Sequence, residues 1–204
     1  MKSIMDTFDL AGRQLQPGDA LLIVDVQNDF LPGGSLAVLR GDEVVPVLNR
    51  YLRAFETQGR PVYATRDWHP KQHCSFRSQG GPWPPHCVAG TRGAGFAAGL
   101  RLLLSTVVIS KATTPEQDAY SGFQDTNLHQ RLHDSGIHRL FIGGLATDYC
   151  VLNTVRDALS LGYEVFLLAD AIRAVDVHPG DGLRAEEEMI GLGAQRISLQ
   201  GIAA

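Results

Sequence analysis

Short apolar, β-branched runs alternate with stretches of helical period along this chain, and that alternation limits its fold more than any other feature. Ala20–Val26 (ALLIVDV), Pro61–Thr65 (PVYAT), Thr106–Ser110 (TVVIS), Leu140–Ile142 (LFI) and Tyr163–Leu168 (YEVFLL) read as buried strands. Between Asp42 and Phe55 the residues Val44, Val45, Val47, Leu48, Leu52 and Phe55 recur near helical spacing, with Gly59 beyond the end. Helical patterns also lie near Asn127–Leu132 and Tyr149–Leu161. Strands alternating with helices predict an α/β protein of three layers, α/β/α, around a mostly parallel, Rossmann-like sheet.

With 204 residues, 44% of them hydrophobic and 20% charged, the chain has apolar material for one sizeable core. No repeat or linker divides it, so a single domain over residues 1–204 is expected. Within it, residues 69–99 are rich in Gly and Pro, carry two His-Cys dipeptides and show no sustained period, which predicts a long functional loop. Glu186, Glu187 and Glu188 read as a solvated helix face. The net charge of -4 includes no basic block, which argues against nucleic acid as a partner. No apolar run approaches the ~20 residues that cross a bilayer, and the opening MKSIMDTFDL carries acids where a signal peptide needs apolar residues. No membrane association and a cytoplasmic location are therefore expected. Three cysteines without an export signal argue against a disulfide framework, so each thiol is read separately. A homo-oligomer is left open.

In open parallel sheets, ligands bind beyond the carboxyl ends of the strands, where strand order reverses. The unusual polar residues fall at those ends: Asp25 after the first strand, Asp67 and His69 after the second, Lys111 after the third, and Cys150 after the fourth and its turn GGLATD. Each has a bland explanation. A strand-end Asp caps or turns, a strand-end Lys is solvated, a Cys is a small buried apolar residue, and a loop His makes a hydrogen bond. Their coincidence favours chemistry. Cys150 would lie in the first turn of a helix, where the dipole and a nearby Lys favour thiolate over thiol. Backbone N–H groups in that turn could bind an oxyanion. Asp67-Trp68-His69 puts two side chains on one face of an extended strand end, close enough to share a cation, with His86 as a third ligand and His73 as a further candidate. That set suits one divalent ion, zinc first, with manganese or iron as alternatives. A structural zinc site from His73, Cys74, His86 and Cys87 is a rival reading, but adjacent ligands lack the usual intervening residues.

The segments VDVQNDFLPGGSL, TRDWHPKQHCSF, WPPHCVAGT, a strand-end Lys and GGLATDYCV occur in that order. From about Ala20 to about Ser198 the chain resembles the isochorismatase-like cysteine hydrolases, specifically their nicotinamidase branch. The resemblance implies catalytic Asp25, Lys111 and Cys150, metal ligands Asp67, His69 and His86, and oxyanion donors from the backbone of Ala146 and Cys150. It also implies a cis peptide between Leu145 and Ala146, and aromatic contacts to the substrate from Phe30 and Trp83, with Tyr120 as a third. The small-molecule substrate it implies is nicotinamide, hydrolysed through a cysteine thioester, with pyrazinamide as a further substrate and a role in NAD salvage. Alternatives are a metal-independent relative acting on carbamoyl or ureido groups, an isochorismate hydrolase and a non-catalytic scaffold. The first needs no D-x-H plus His set, the second lacks the nucleophilic cysteine in this family, and the third gives no reason for all three strand-end groups. Arg92 stands where relatives often have Pro, and Leu145 where Val or Ile is more usual.

Overall fold

In the strand β2 (Asp19–Val24), every side chain is buried and successive residues serve opposite apolar clusters. Leu21 and Ile23 join one cluster, Ala20, Leu22 and Val24 the other. A strand apolar on both faces must be covered twice. Helix α1 (Val44–Thr57) covers the first face with Val44, Leu48, Tyr51, Leu52 and Phe55. The second face is covered by α2 (Leu128–Asp134), α3 (Leu152–Ser160) and α4 (Asp181–Gly191), through Leu128, Leu132, Val155, Ala158, Ala185 and Met189. The three-layer arrangement is as expected. This computed structural model describes residues 8–9 and 15–199; most of the N-terminal stretch, to which the sequence assigns no role, lies outside them.

The remaining strands are β1 (Phe8–Asp9), β3 (Val62–Asp67), β4 (Val107–Lys111), β5 (Arg139–Leu145), β6 (Glu164–Arg173) and β7 (Gln195–Ser198). Their order is β1-β7-β6-β5-β2-β3-β4, and all neighbouring pairs run parallel. From β2 the chain adds β3 and β4 on one side; from β5 it adds β6 and β7 on the other. The reversal between β2 and β5 opens a crevice at their carboxyl ends. Residues 69–99 contain a single 3-10 turn, Arg77–Gln79, and the bridges His69–Val88, Phe76–Trp83 and Gln27–Phe96 tie this loop to itself and to the crevice.

Several elements run further than the sequence pattern. β3 continues to Asp67 and β5 to Leu145, so strand geometry itself carries polar residues to the crevice. The helix expected from Tyr149 begins instead with a π turn over Thr147–Val151, ahead of α3. Helix α4 carries a faint apolar signal because small Gly182 and Ala185 share its buried face with Met189, while Leu183 is 63% exposed. Glu187 and Glu188 on it are solvated.

At the reversal, Gly144 has φ 132°, and a Cβ there would meet the Val24 carbonyl oxygen at 2.0 Å. Only glycine allows β5 this close to β2. Gly144→Ala is expected to destabilise the fold by about 3 kcal/mol or more, read as a lowered urea midpoint; a midpoint unchanged from wild type would show that the strands separate easily here.

Candidate active site and metal centre

Lys111, last residue of β4, is fully buried and directs its ammonium to the carboxyl ends of β2 and β3. Nζ donates to Asp67 Oδ1 at 2.5 Å, to the Ala119 carbonyl at 2.9 Å and to Cys150 Sγ at 3.5 Å. These bonds use all three ammonium donors. Asp25 Oδ2 lies 3.0 Å from Nζ and forms a buried ion pair with it. The other oxygen, Oδ1, accepts from Thr65 Oγ1 at 2.7 Å. Asp25, Asp67 and Cys150 present ligand atoms all within 4.8 Å of one another. Asp25 leaves β2 with φ 48°, a turn out of the strand that carries its carboxylate into this cluster.

Burial sets the protonation of the acid and the thiol, whereas neighbouring charge sets that of the amine. Burial would lower the Lys111 amine, but Asp25 and Asp67 outweigh it and hold the amine well above the ordinary lysine value. Burial lifts the Asp25 carboxyl, the Lys111 charge opposes the rise and Asp67 adds to it, leaving the group raised. The Cys150 thiol is also pushed well above its ordinary value by burial, which the Lys111 charge does not overcome. A thiolate at rest, expected from the helix start and the nearby lysine, is therefore corrected to a thiol in the same cluster as the Asp25 carboxylate.

Asp67, His69 and His86 form a buried group whose ligand atoms fall within 4.8 Å. His69 Nδ1 bonds the His86 carbonyl at 3.0 Å and His86 Nδ1 the Pro84 carbonyl at 2.8 Å, so each Nδ1 carries the proton and each Nε2 offers a lone pair. His69 Nε2 is buried without a hydrogen-bond partner, 3.8 Å from Asp67 Oδ1. Burial lowers the His69 ring to about 3, with His86 and His73 adding to the effect, so it stays neutral. One lysine faces two carboxylates here, leaving the ionised cluster short of positive charge. An orphaned imidazole nitrogen, the neutral His69 ring and surplus negative charge fit a divalent cation.

His73 stacks on His69 with ring centroids 4.1 Å apart, but its Nδ1 is engaged by Ser75 Oγ at 2.7 Å and its Nε2 by the Gln117 carbonyl at 3.0 Å. It groups with His69 and Asp118 rather than with the Asp67 set. Among the described residues no candidate metal group contains Cys74 or Cys87, so the rival zinc site finds no support.

Over the cluster lies a pocket with about 370 Å³ of non-atom space, partly open to solvent. Asp67, His86, Ala146 and Cys150 face it on the polar side, and Phe30, Trp83 and Tyr120 on the aromatic side. Trp83 Nε1 donates to Tyr120 Oη at 3.0 Å, which steadies that wall. The peptide Leu145–Ala146 is cis. Sequence reasoning missed Tyr149, Leu36 and Val175, which also line the pocket. It missed supporting residues too. Gln27 Nε2 donates to the carbonyls of Asp67 and Ala94 while its Oε1 accepts from Asp67 N–H, and Asp29 accepts from Cys87 N–H beside His86. Asp148 accepts from the N–H groups of Val175 and Asp176. Only their place in the motif segments could have marked them.

The fold and site define a class: a three-layer α/β protein with a thiol, an acid and an amine at the sheet's reversal point. Within that class the chain belongs to the isochorismatase-domain family, whose model matches residues 19–185. A nicotinamidase of Escherichia coli is 41% identical over 204 residues, spanning 90% of this chain and 96% of its own. The pyrazinamidase of Pyrococcus horikoshii, solved in complex with zinc, superposes with a TM-score of 0.86 at 48% identity, covering 89% of this chain and 99% of its own. PnC1 from L. infantum, solved with nicotinate, gives 0.82 at 38% identity, covering 89% and 93%.

Purified protein is expected to carry about one divalent ion per chain. His86→Ala should lose at least about ten-fold in metal affinity, measured by elemental analysis after dialysis against graded chelator. Equal retention by variant and wild type would remove His86 from the ligand set.

Proposed function

We propose that the protein is a nicotinamidase, converting nicotinamide and water to nicotinate and ammonia, and accepting pyrazinamide. The observation that carries this reading is the meeting of Lys111 Nζ with Asp25 Oδ2 at 3.0 Å and Cys150 Sγ at 3.5 Å beside an aromatic pocket. The names and ligands of the E. coli, P. horikoshii and L. infantum proteins support the choice of a pyridine carboxamide.

In this mechanism the Asp25 carboxylate takes the Cys150 proton as sulfur attacks the amide carbon. Passing a proton from thiol to carboxylate leaves the net charge of the buried cluster unchanged, so no new charge is created in a dry site. Lys111 stays cationic and balances whichever of the pair is ionised. Backbone N–H groups of Ala146 and Cys150 receive the developing oxyanion. As the C–N bond breaks, Asp25 returns the proton to nitrogen, ammonia leaves and a Cys150 thioester remains. Asp25 then takes a proton from water as hydroxide attacks the thioester carbonyl and returns it to the departing sulfur, and the acid released loses its own proton to become nicotinate. Phe30 and Trp83 flank the ring, with Tyr120 holding Trp83 in place. Asp67, His69 and His86 would hold a divalent ion, zinc being the first choice ahead of manganese or iron, which would supply a Lewis acid to the substrate ring. The chain is read as one domain over residues 1–204, working in the cytoplasm in NAD salvage. A metal-independent carbamoyl hydrolase is disfavoured because the orphaned His69 Nε2 would then have no purpose.

Ammonia release from nicotinamide is expected in wild type, to fall with chelator, and to drop below about 10⁻⁴ of wild type in Cys150→Ala with metal content intact. Full activity in that variant would refute the mechanism. Asp25 must be ionised to take the thiol proton, and its carboxyl is raised, so activity should be lost as pH falls through a value above the ordinary 3.8. A pH profile of kcat/KM with its acid limb at or below 3.8 would contradict that assignment.

A further inference from the structure

Thr65 lies in β3, two residues before Asp67, and is fully buried. Its side chain is gripped at both ends. Oγ1 donates to Asp25 Oδ1 at 2.7 Å, while Cγ2 packs so closely on Gly122 that a Cβ there would come within 2.7 Å of it. Gly122 is itself held by its N–H, which donates to Thr154 Oγ1 at 3.0 Å. The main chain adds a second tie, Asp25 N–H to the Thr65 carbonyl at 3.3 Å. A carboxylate on a short side chain can turn about its last bond and exchange its two oxygens. Here the Thr65 bond fixes Oδ1, and Oδ2 faces the Lys111 ammonium at 3.0 Å within the cluster that includes Cys150.

Resting on the proposed amide hydrolysis, we propose that Thr65 is a positioning residue, whose hydroxyl holds Asp25 with Oδ1 occupied and leaves Oδ2, beside the Lys111 ammonium, to receive the Cys150 proton. The side chain touches no reacting atom; it acts by fixing which oxygen receives the proton. Its neighbours explain why threonine suits the place. The hydroxyl orients the acid, and the methyl wedged on Gly122 prevents rotation that would withdraw the hydroxyl.

The test compares Thr65→Ser with Thr65→Ala, which differ by the one oxygen, and adds Thr65→Val as a variant that keeps the methyl. Nicotinamide turnover, metal content and iodoacetamide labelling of Cys150, followed by mass spectrometry of its peptide, are measured for each. Thr65→Ala should lose about 10²-fold in kcat, with KM changed by less than about twofold and metal content unchanged. Cys150 labelling should slow alongside kcat. Thr65→Ser should stay within about threefold of wild type in both readouts. Equal rates for the Ser and Ala variants would overturn the role, as would a loss confined to KM or accompanied by loss of metal. If Thr65→Ala does not fold, Thr65→Val takes its place against Thr65→Ser with the same outcomes. Should the wild type release no ammonia from nicotinamide, the functional reading falls, and the labelling series alone decides on Thr65.

Discussion

A single ammonium group organises the carboxyl end of this sheet. Lys111 Nζ spends its three donors on Asp67, the Ala119 carbonyl and Cys150, and forms an ion pair with Asp25. Away from water, a cation so placed fixes the separation of two carboxylates and a thiol that belong to three other segments of the chain. Asp67 joins the two halves of the site, being both a partner of the lysine and a member of the histidine group. The acid-base half and the metal-binding half consequently cannot be tuned independently, since any movement of Asp67 is felt by both.

The topology explains why such a cluster can exist without loosening the fold. Its members sit at the ends of β2, β3 and β4 and in the turn after β5, where strand order reverses and the backbone diverges. The continuous apolar faces of the strands stop just short of it, and the helices covering them make the site dry. That dryness, more than any nearby charge, sets the protonation states of His69 and Cys150. It neutralises the His69 ring and keeps Cys150 as a thiol. Activation of the nucleophile then depends on a local base rather than on a standing thiolate.

The layered fold was readable because parallel strands buried on both faces leave continuous apolar runs in the sequence. The strand-end residues Asp25, Asp67, Lys111 and Cys150 were readable because polar groups are conspicuous at the ends of such runs. Burial was not readable. The lysine near Cys150 suggested a stabilised thiolate, and sequence carries no measure of desolvation to set against it. The π turn escaped because its residues continue the apolar pattern of α3. Thr65, Gln27 and Asp29 escaped for another reason: they are common residue types whose importance lies in partners about 40 to 60 positions away.

Gln27 shows how the catalytic acid can leave its strand at all. β2 ends where Asp25 turns aside, and the exposed end of β3 would otherwise carry a bare amide and carbonyl at Asp67. The carboxamide of Gln27 bonds both, acting as a detached peptide unit that extends the ladder by one rung. The sheet thus terminates without a defect, and its last rung is a side chain, free of the alternation that binds main chain to a fixed direction. A carboxylate can then sit where a strand residue should be, which is a general route by which a rigid sheet can acquire a reactive edge.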